Sequence, residues 1–407
     1  MMSVKSSVWE SRNYSRRCGR LFVAAILLML GVGGAIPRAT AADAVTASAP
    51  AVMPDFVADD SPRTFTKPLG VREWTYTMVR GPWPFDRIGL HRVTRGARPP
   101  AHPNLVMLYL PGTNMNGAVA VDDPHYSMPL FMAGHGVDFW AMDYRTHFIP
   151  PATPAADLSE LKHWTNDMFE SDIEAAARFV MAATGRTRIY VAGFSRGASF
   201  AYLFAARNPG VVAGLVILDG WIPADRPGVA PPPNHYADDV GGAHLTYDKR
   251  QALMTAVIAN PDGPAPIPKY TTARENLEAV VYGAGGLFGG HGGLANPGGG
   301  YSDAVVLARM LAGYDRYWPA IQDYEDPFTP ADRARLAASK IPVIAFSSTN
   351  IGPQWPTHVA QSASATGSTD VTVKTLTGWG HLDVICGTHA EAQVFTPALL
   401  FLRRRPK

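Results

Sequence analysis

The sequence predicts an α/β protein, with a mostly parallel sheet flanked by helices and interrupted by one large insertion. Three observations carry this. Apolar runs of strand length, bounded by Pro, Gly or Asp, recur between amphipathic segments of helical period. Of the 407 residues, 47% are hydrophobic and 17% charged, which suits a large buried core and not a disordered chain. Between about Trp221 and Lys340 the alternation lapses and then resumes, so one sheet domain with an insertion fits better than two independent domains.

The first 41 residues read as a separate object. Arg12, Arg16, Arg17 and Arg20 precede the apolar run Leu21 to Ile36, and Ala39-Thr40-Ala41 has the small-x-small form of a signal-peptidase site. Glycines interrupt the run, which falls short of the roughly 20 apolar residues of a spanning helix. A cleaved signal peptide is therefore expected, with export to the periplasm or medium and no stable membrane insertion afterwards. Its removal takes away six basic residues and one acidic one, leaving 30 bases against 33 acids, a formal net of −3. The basic balance of the whole chain thus belongs to the leader, and nucleic-acid binding loses its compositional support. Cys18 leaves as well, so Cys386 has no partner for an intramolecular disulfide.

Residues 42–70, rich in Ala, Pro, Ser and Asp, read as a flexible lead-in. The sheet domain is expected over 71–220 and 341–407, with a cap over 221–340. β-rich segments begin at Trp74. Asn104 to Gly112 and Gly136 to Arg145 are buried strands; Phe169 to Gly185 is a helix with Ile173, Ala176, Ala177, Val180 and Met181 on one face and a glycine stop. Gly210 to Gly220, Ile341 to Thr349 and Asp370 to Gly378 are further strands, and Glu391 to Arg405 a last helix. Inside the cap, Asp248 to Asn260 and Asp303 to Trp318 have helical character. The Gly-rich stretch 283–300 follows no strand and matches no phosphate-binding pattern, so no nucleotide site is expected. The cap is also aromatic, with Tyr282, Phe288, Tyr301, Tyr314, Tyr317, Trp318 and Tyr324, and Trp221 and Trp355 at its edges. Most of these are expected to pack the cap onto the sheet, although a cap of this kind also forms one wall of an apolar pocket.

Gly193-Phe194-Ser195-Arg196-Gly197 sits between a strand and a helix, the context in which Gly-x-Ser-x-Gly is a nucleophile elbow. The glycines make room for a strained turn that lifts the serine hydroxyl above the sheet. A serine needs a base, and His381, in a Gly-His turn just beyond the final strand, is the candidate; His291, in the Gly-rich cap loop, competes.

With "LYLPGTNMNG", "GFSRG", "LVILDG" and "GWGHLD", the chain resembles the α/β-hydrolase family, in its esterase- and lipase-like branches, over about 74–221 and 340 to the end. The resemblance implies the α/β-hydrolase fold with a cap inserted after the sixth strand, a Ser-His-acid triad, and neither metal nor organic cofactor. It implies an oxyanion hole from the backbone N–H of Arg196 and, from the loop after the third strand, that of Thr113 or Asn114; many members carry His-Gly where Pro111-Gly112 stands here. For the acid, the usual loop after Ile341 to Thr349 holds Asn350 but no carboxylate before Asp370. Some members place the acid one strand earlier, where this chain has Asp219; Asn350 and a cap acid such as Asp303 remain alternatives, while Asp383 suits a helix cap. The expected function is hydrolysis of a small, hydrophobic carboxylic ester. An acyltransferase, lactonase or amidase with the same triad, or a non-catalytic binding protein on the same fold, is the alternative. The leader reading makes its own prediction: N-terminal sequencing of the exported protein should give a start near Ala42, and a soluble cytoplasmic species retaining Met1 would refute it.

Overall fold

The computed structural model describes residues 56–59, 61–223, 246–282, 302–323 and 326–404, all within one compact unit. The leader, residues 42–55, His291, Phe288, Tyr301, Tyr324 and the Gly-rich stretch lie outside the described residues.

Among the described residues, ten strands form one sheet: β1 (Val57–Ala58), β2 (Arg63–Thr64), β3 (Val71–Val79), β4 (Arg87–Arg95), β5 (Leu105–Leu110), β6 (Val137–Asp143), β7 (Ile189–Phe194), β8 (Val212–Leu218), β9 (Val343–Ser348) and β10 (Val371–Leu376). Their order is β1-β3-β4-β6-β5-β7-β8-β9-β10, with β2 beside β3. The pairs from β6 to β10 are parallel, and those involving β1 to β4 are antiparallel. Residues 56–70, read from the sequence as the end of an irregular lead-in, therefore contribute two short edge strands, and Phe65 is buried in the core.

The helices are α1 (Met128–Gly134), α2 (Asn166–Thr184), α3 (Arg196–Arg207), α4 (Tyr247–Ala259), α5 (Ala273–Tyr282), α6 (Ala304–Ala312), α7 (Pro330–Ser339), α8 (Trp355–Ser364), α9 (Asp383–Cys386) and α10 (Thr396–Arg403). Because successive strand residues face opposite sides, Met107 and Leu108 on β5 enter different cores. One core gathers α1, α4 to α6 and α10; the other gathers α2, α3, α7 and α8. α2 begins at Thr165, whose hydroxyl accepts the Met168 N–H, and ends at Gly185 in the left-handed region.

The insertion does not behave as one layer. α4, α5 and α6 pack on one another through Leu253, Val257, Leu277 and Leu307. Trp318, by contrast, is wholly buried against Tyr144 and Phe169, and α7 lies on α3 with Leu336 in the second core. α7 starts at a reciprocal capping box between Thr329 and Asp332, with Pro330 in its first turn. Residues 317–323 and 326–339, read as the end of the cap, contribute Tyr317, Trp318, Phe328 and Leu336 to the second core.

All carboxyl ends of β5 to β10 share one edge. The strand order reverses between β5 and β7, which opens a crevice where the parallel strands on either side diverge. Leu110 lies opposite Gly193, and Phe194 opposite Leu218, so the residues that follow these strands meet at that crevice.

Candidate active site

Ser195 stands at the end of β7 with φ 54° and ψ −120°, a conformation that L-residues seldom hold without support. That support is visible. The Ser195 N–H donates to the Leu218 carbonyl at 3.0 Å. A Cβ on Gly193 would strike the Gly197 carbonyl, and one on Gly197 would strike the Leu110 carbonyl oxygen. The two glycines are thus required by close backbone approach, not by their own dihedrals. Asn114, in the loop after β5, and Ser195 and Asp219, directly after β7 and β8, all have positive φ.

Asp219 follows β8 and is fully buried. Its Oδ2 accepts from His381 Nδ1 at 2.6 Å and from the Ser348 hydroxyl at 2.6 Å. Its Oδ1 accepts from the Ser348 N–H at 2.6 Å and from Trp355 Nε1–H at 2.9 Å. Four donors fill the acceptor sites of an ionised carboxylate, and that acceptor assigns the imidazole proton to Nδ1. The His381 ring stacks on Phe194, the residue before Ser195, with centroids 4.6 Å apart, and meets the edge of Trp355. His381 is itself buried.

The other acids considered from sequence lie elsewhere. Asn350 donates through Nδ2 to the Gly378 carbonyl and through its backbone N–H to that of Trp379. It braces the turn that leads to His381 and does not meet the ring. Asp303 caps α6 by accepting from the Val305 and Val306 N–H groups. Asp383 opens α9 instead of capping it: its carboxylate accepts from the Gly380 N–H at 2.7 Å and the Ser302 hydroxyl at 2.8 Å, closing the histidine turn. Cys386 is the other nucleophile type nearby, but burial pushes its thiol up to about 12 and holds it neutral.

The loop after β5 approaches the elbow closely. A Cβ on Gly112 would lie 3.1 Å from Ser195 Cβ and 3.3 Å from Met115 Sδ. Thr113 is the next residue of that loop, and Arg196 follows Ser195 at the start of α3. The Arg196 side chain turns away, donating to Asn166 Oδ1 at 2.5 Å and to the Gln322 carbonyl. Beyond Met115 lies a cavity of about 160 Å³, walled by Val119, Val121, Met128, Phe139, Met310 and Tyr314 among others. Sequence reasoning found His381 but not the other donors to Asp219: Trp355 was read as the edge of the cap, and Ser348 as strand interior.

Two consequences follow. Gly197→Ala should destabilise the protein by about 3 kcal/mol, because the intruding methyl meets backbone; urea unfolding checks this. Ser348→Ala, which leaves the buried carboxylate short of one hydroxyl donor, should cost about 1.5–3 kcal/mol, read in the same experiment.

No curated protein matches the chain. Residues 106–279 match the sequence model of a family described as "alpha/beta hydrolase fold". Among solved structures, a protein of Sulfolobus solfataricus described provisionally as a lipase is 24% identical, with a TM-score of 0.69 over 86% of this chain and 99% of that one. A thermophilic esterase from Thermogutta terrifontis is 14% identical, with a TM-score of 0.45 over 80% and 97%. The matched segment spans β5 to α5, and its strands fall in the sheet order described above; the chain has the α/β-hydrolase fold.

Proposed function

We propose that the protein is an exported serine hydrolase that cleaves carboxylic esters through Ser195, His381 and Asp219. The observation that carries this reading is the 2.6 Å bond from His381 Nδ1 to a buried carboxylate, on a ring stacked against the residue that precedes a strained serine. With Nδ1 engaged, Nε2 is the nitrogen that serves as base. It takes the proton of Ser195 Oγ as the oxygen attacks the ester carbonyl, and gives that proton to the departing alcohol. Water then attacks the acyl-serine, losing its proton to the same nitrogen, and the acid and Ser195 are released.

Asp219 holds the imidazole in the Nδ1–H tautomer and stabilises the imidazolium. The N–H groups of Arg196 and Thr113 are the proposed donors to the oxyanion, helped by the N-terminus of α3; a single such donor is worth about 10²–10³ in turnover. The apolar cavity beside Met115 suits a hydrophobic group on a small ester. The reaction needs neither metal nor organic cofactor, and the acidic balance of the processed chain disfavours nucleic acid as a partner.

A fluorophosphonate should label the protein once, and Ser195→Ala should abolish labelling and turnover of p-nitrophenyl esters. Labelling that persists in the alanine variant would refute the assignment. Asp219→Asn should fold and lose about 10³–10⁴ in turnover, whereas Asn350→Ala should lose less than about tenfold, since its bonds reach only the turn.

A further inference from the structure

A second cluster of titratable groups lies outside this site. Buried His91 on β4 bridges Glu73 Oε1 through Nδ1 and Asp143 Oδ2 through Nε2, each at 2.9 Å. Asp143 ends β6, and its Oδ2 is 4.0 Å from His147 Nε2; His147 Nδ1 in turn is 2.9 Å from Asp315 Oδ1, just after α6. Acid and imidazole thus alternate from the sheet edge to the segment that follows α6, with Arg63 3.5 Å from Glu73 at the outer end.

What this array grips is the loop after β5. Asp143 Oδ1 accepts the Gly117 N–H at 2.7 Å, Glu73 Oε1 accepts the Val119 N–H at 3.2 Å, and Arg63 donates to the Val119 carbonyl at 2.9 Å. From the other side, Asp315 donates its N–H to the Asn114 carbonyl at 2.7 Å, the Asn114 amide donates to the Asp315 carbonyl at 3.1 Å, and Asn116 donates to Asp315 Oδ1 at 3.1 Å. Asn114 has a positive φ, and its neighbour Thr113 is the proposed oxyanion donor; Gly117 and Val119 line the cavity.

We propose that Glu73, His91, Asp143, His147 and Asp315 are positioning residues that clamp loop 113–119, so that the protonation of the two histidines sets the order of that loop. The catalytic side of this inference rests on the hydrolase reading; the clamp itself does not.

Burial works against charge on both imidazoles, but the carboxylates outweigh it: His91 is raised to about 10 by Asp143 and Glu73, and His147 to about 9 by Asp143 and Asp315 against repulsion from His91. Asp143 is held well below the usual carboxylate range despite its burial, whereas burial prevails at Asp315 and raises it, so Asp143 is the stronger anchor. The sign is that of raised histidines. Their contribution is complete below the unfolded imidazole value of about 6.5 and is lost as pH rises through the folded values. His147, about one-third exposed, lets go first.

The test is hydrogen exchange on the intact protein, corrected for the intrinsic pH dependence of exchange. Protection of 113–119 in the wild type should fall about tenfold between pH 8 and 10, with β7 and α3 unchanged. His147→Ala should show the lowered protection already at pH 7.5 and no step near 9; Asp315→Asn, which keeps the side chain's shape, is the second variant should that one fold poorly. If the wild-type loop keeps its protection through pH 10, or both variants match wild type, the clamp is wrong. This readout needs no turnover, so it stands or falls apart from the hydrolase reading. Where ester turnover is measured, kcat of His147→Ala should fall about tenfold with KM little changed and without an alkaline limb near 9; a limb that persists at the same pH would overturn the link to catalysis.

Discussion

A carboxylate sealed at the end of a parallel strand must find a donor for each lone pair or forfeit its charge, and at Asp219 three different elements supply them. Ser348 ends β9, Trp355 begins α8, and His381 lies in the turn beyond β10. Satisfying this one group therefore fixes three loops at once. The register of the sheet does the rest: Asp219 donates its N–H to Phe346 on β9, while Ser195 donates to Leu218 on β8. The strained backbone at both residues is the cost of aiming two side chains into the same crevice from neighbouring strands.

The crevice has a second wall with different physics. The loop after β5 lies over the elbow, where a side chain on Gly112 would crowd Ser195 and Phe194. Met115, Val119 and Val121 anchor it in the first core, and the buried backbone between them still needs hydrogen-bond partners. Here the partners are charged: carboxylates accept Gly117 and Val119 from the sheet side, and the Asp315 backbone pairs with Asn114 from the other. The loop is thus tied to the fold by electrostatics as well as by apolar packing, while its neighbours β5 and β7 are tied by apolar packing and strand pairing. This difference makes it the part of the crevice that pH can reach.

Much of this was legible in the sequence, for identifiable reasons. The central strands are long apolar runs whose burial on both faces leaves no alternating pattern to misread, and Gly193 to Gly197 carries its geometry in its glycines. An aspartate ending the strand before the cap pointed to the carboxylate that meets His381. What was hard to read depends on contacts distant in sequence. β1 and β2 are two residues each and exist through pairing with β3. α7 carries a clear start signal in Thr329-Pro330-Ala331-Asp332, yet the irregular stretch around it masked the signal. The array from Glu73 to Asp315 joins residues 242 positions apart in the numbering, each of which alone reads as an ordinary surface charge.

The central claim is that the Asp219 carboxylate, and no other group, holds the His381 ring in its Nδ1–H tautomer. Proton NMR of the ring N–H tests it most directly, since a short bond between imidazole and a buried carboxylate shifts that proton far downfield. Beside the resonances of His91 and His147, which also meet carboxylates, one strongly downfield ring N–H should be present in the wild type and in Asn350→Ala, and absent in Asp219→Asn. A set of downfield resonances unchanged by Asp219→Asn, or one that loses a member in Asn350→Ala, would contradict the account.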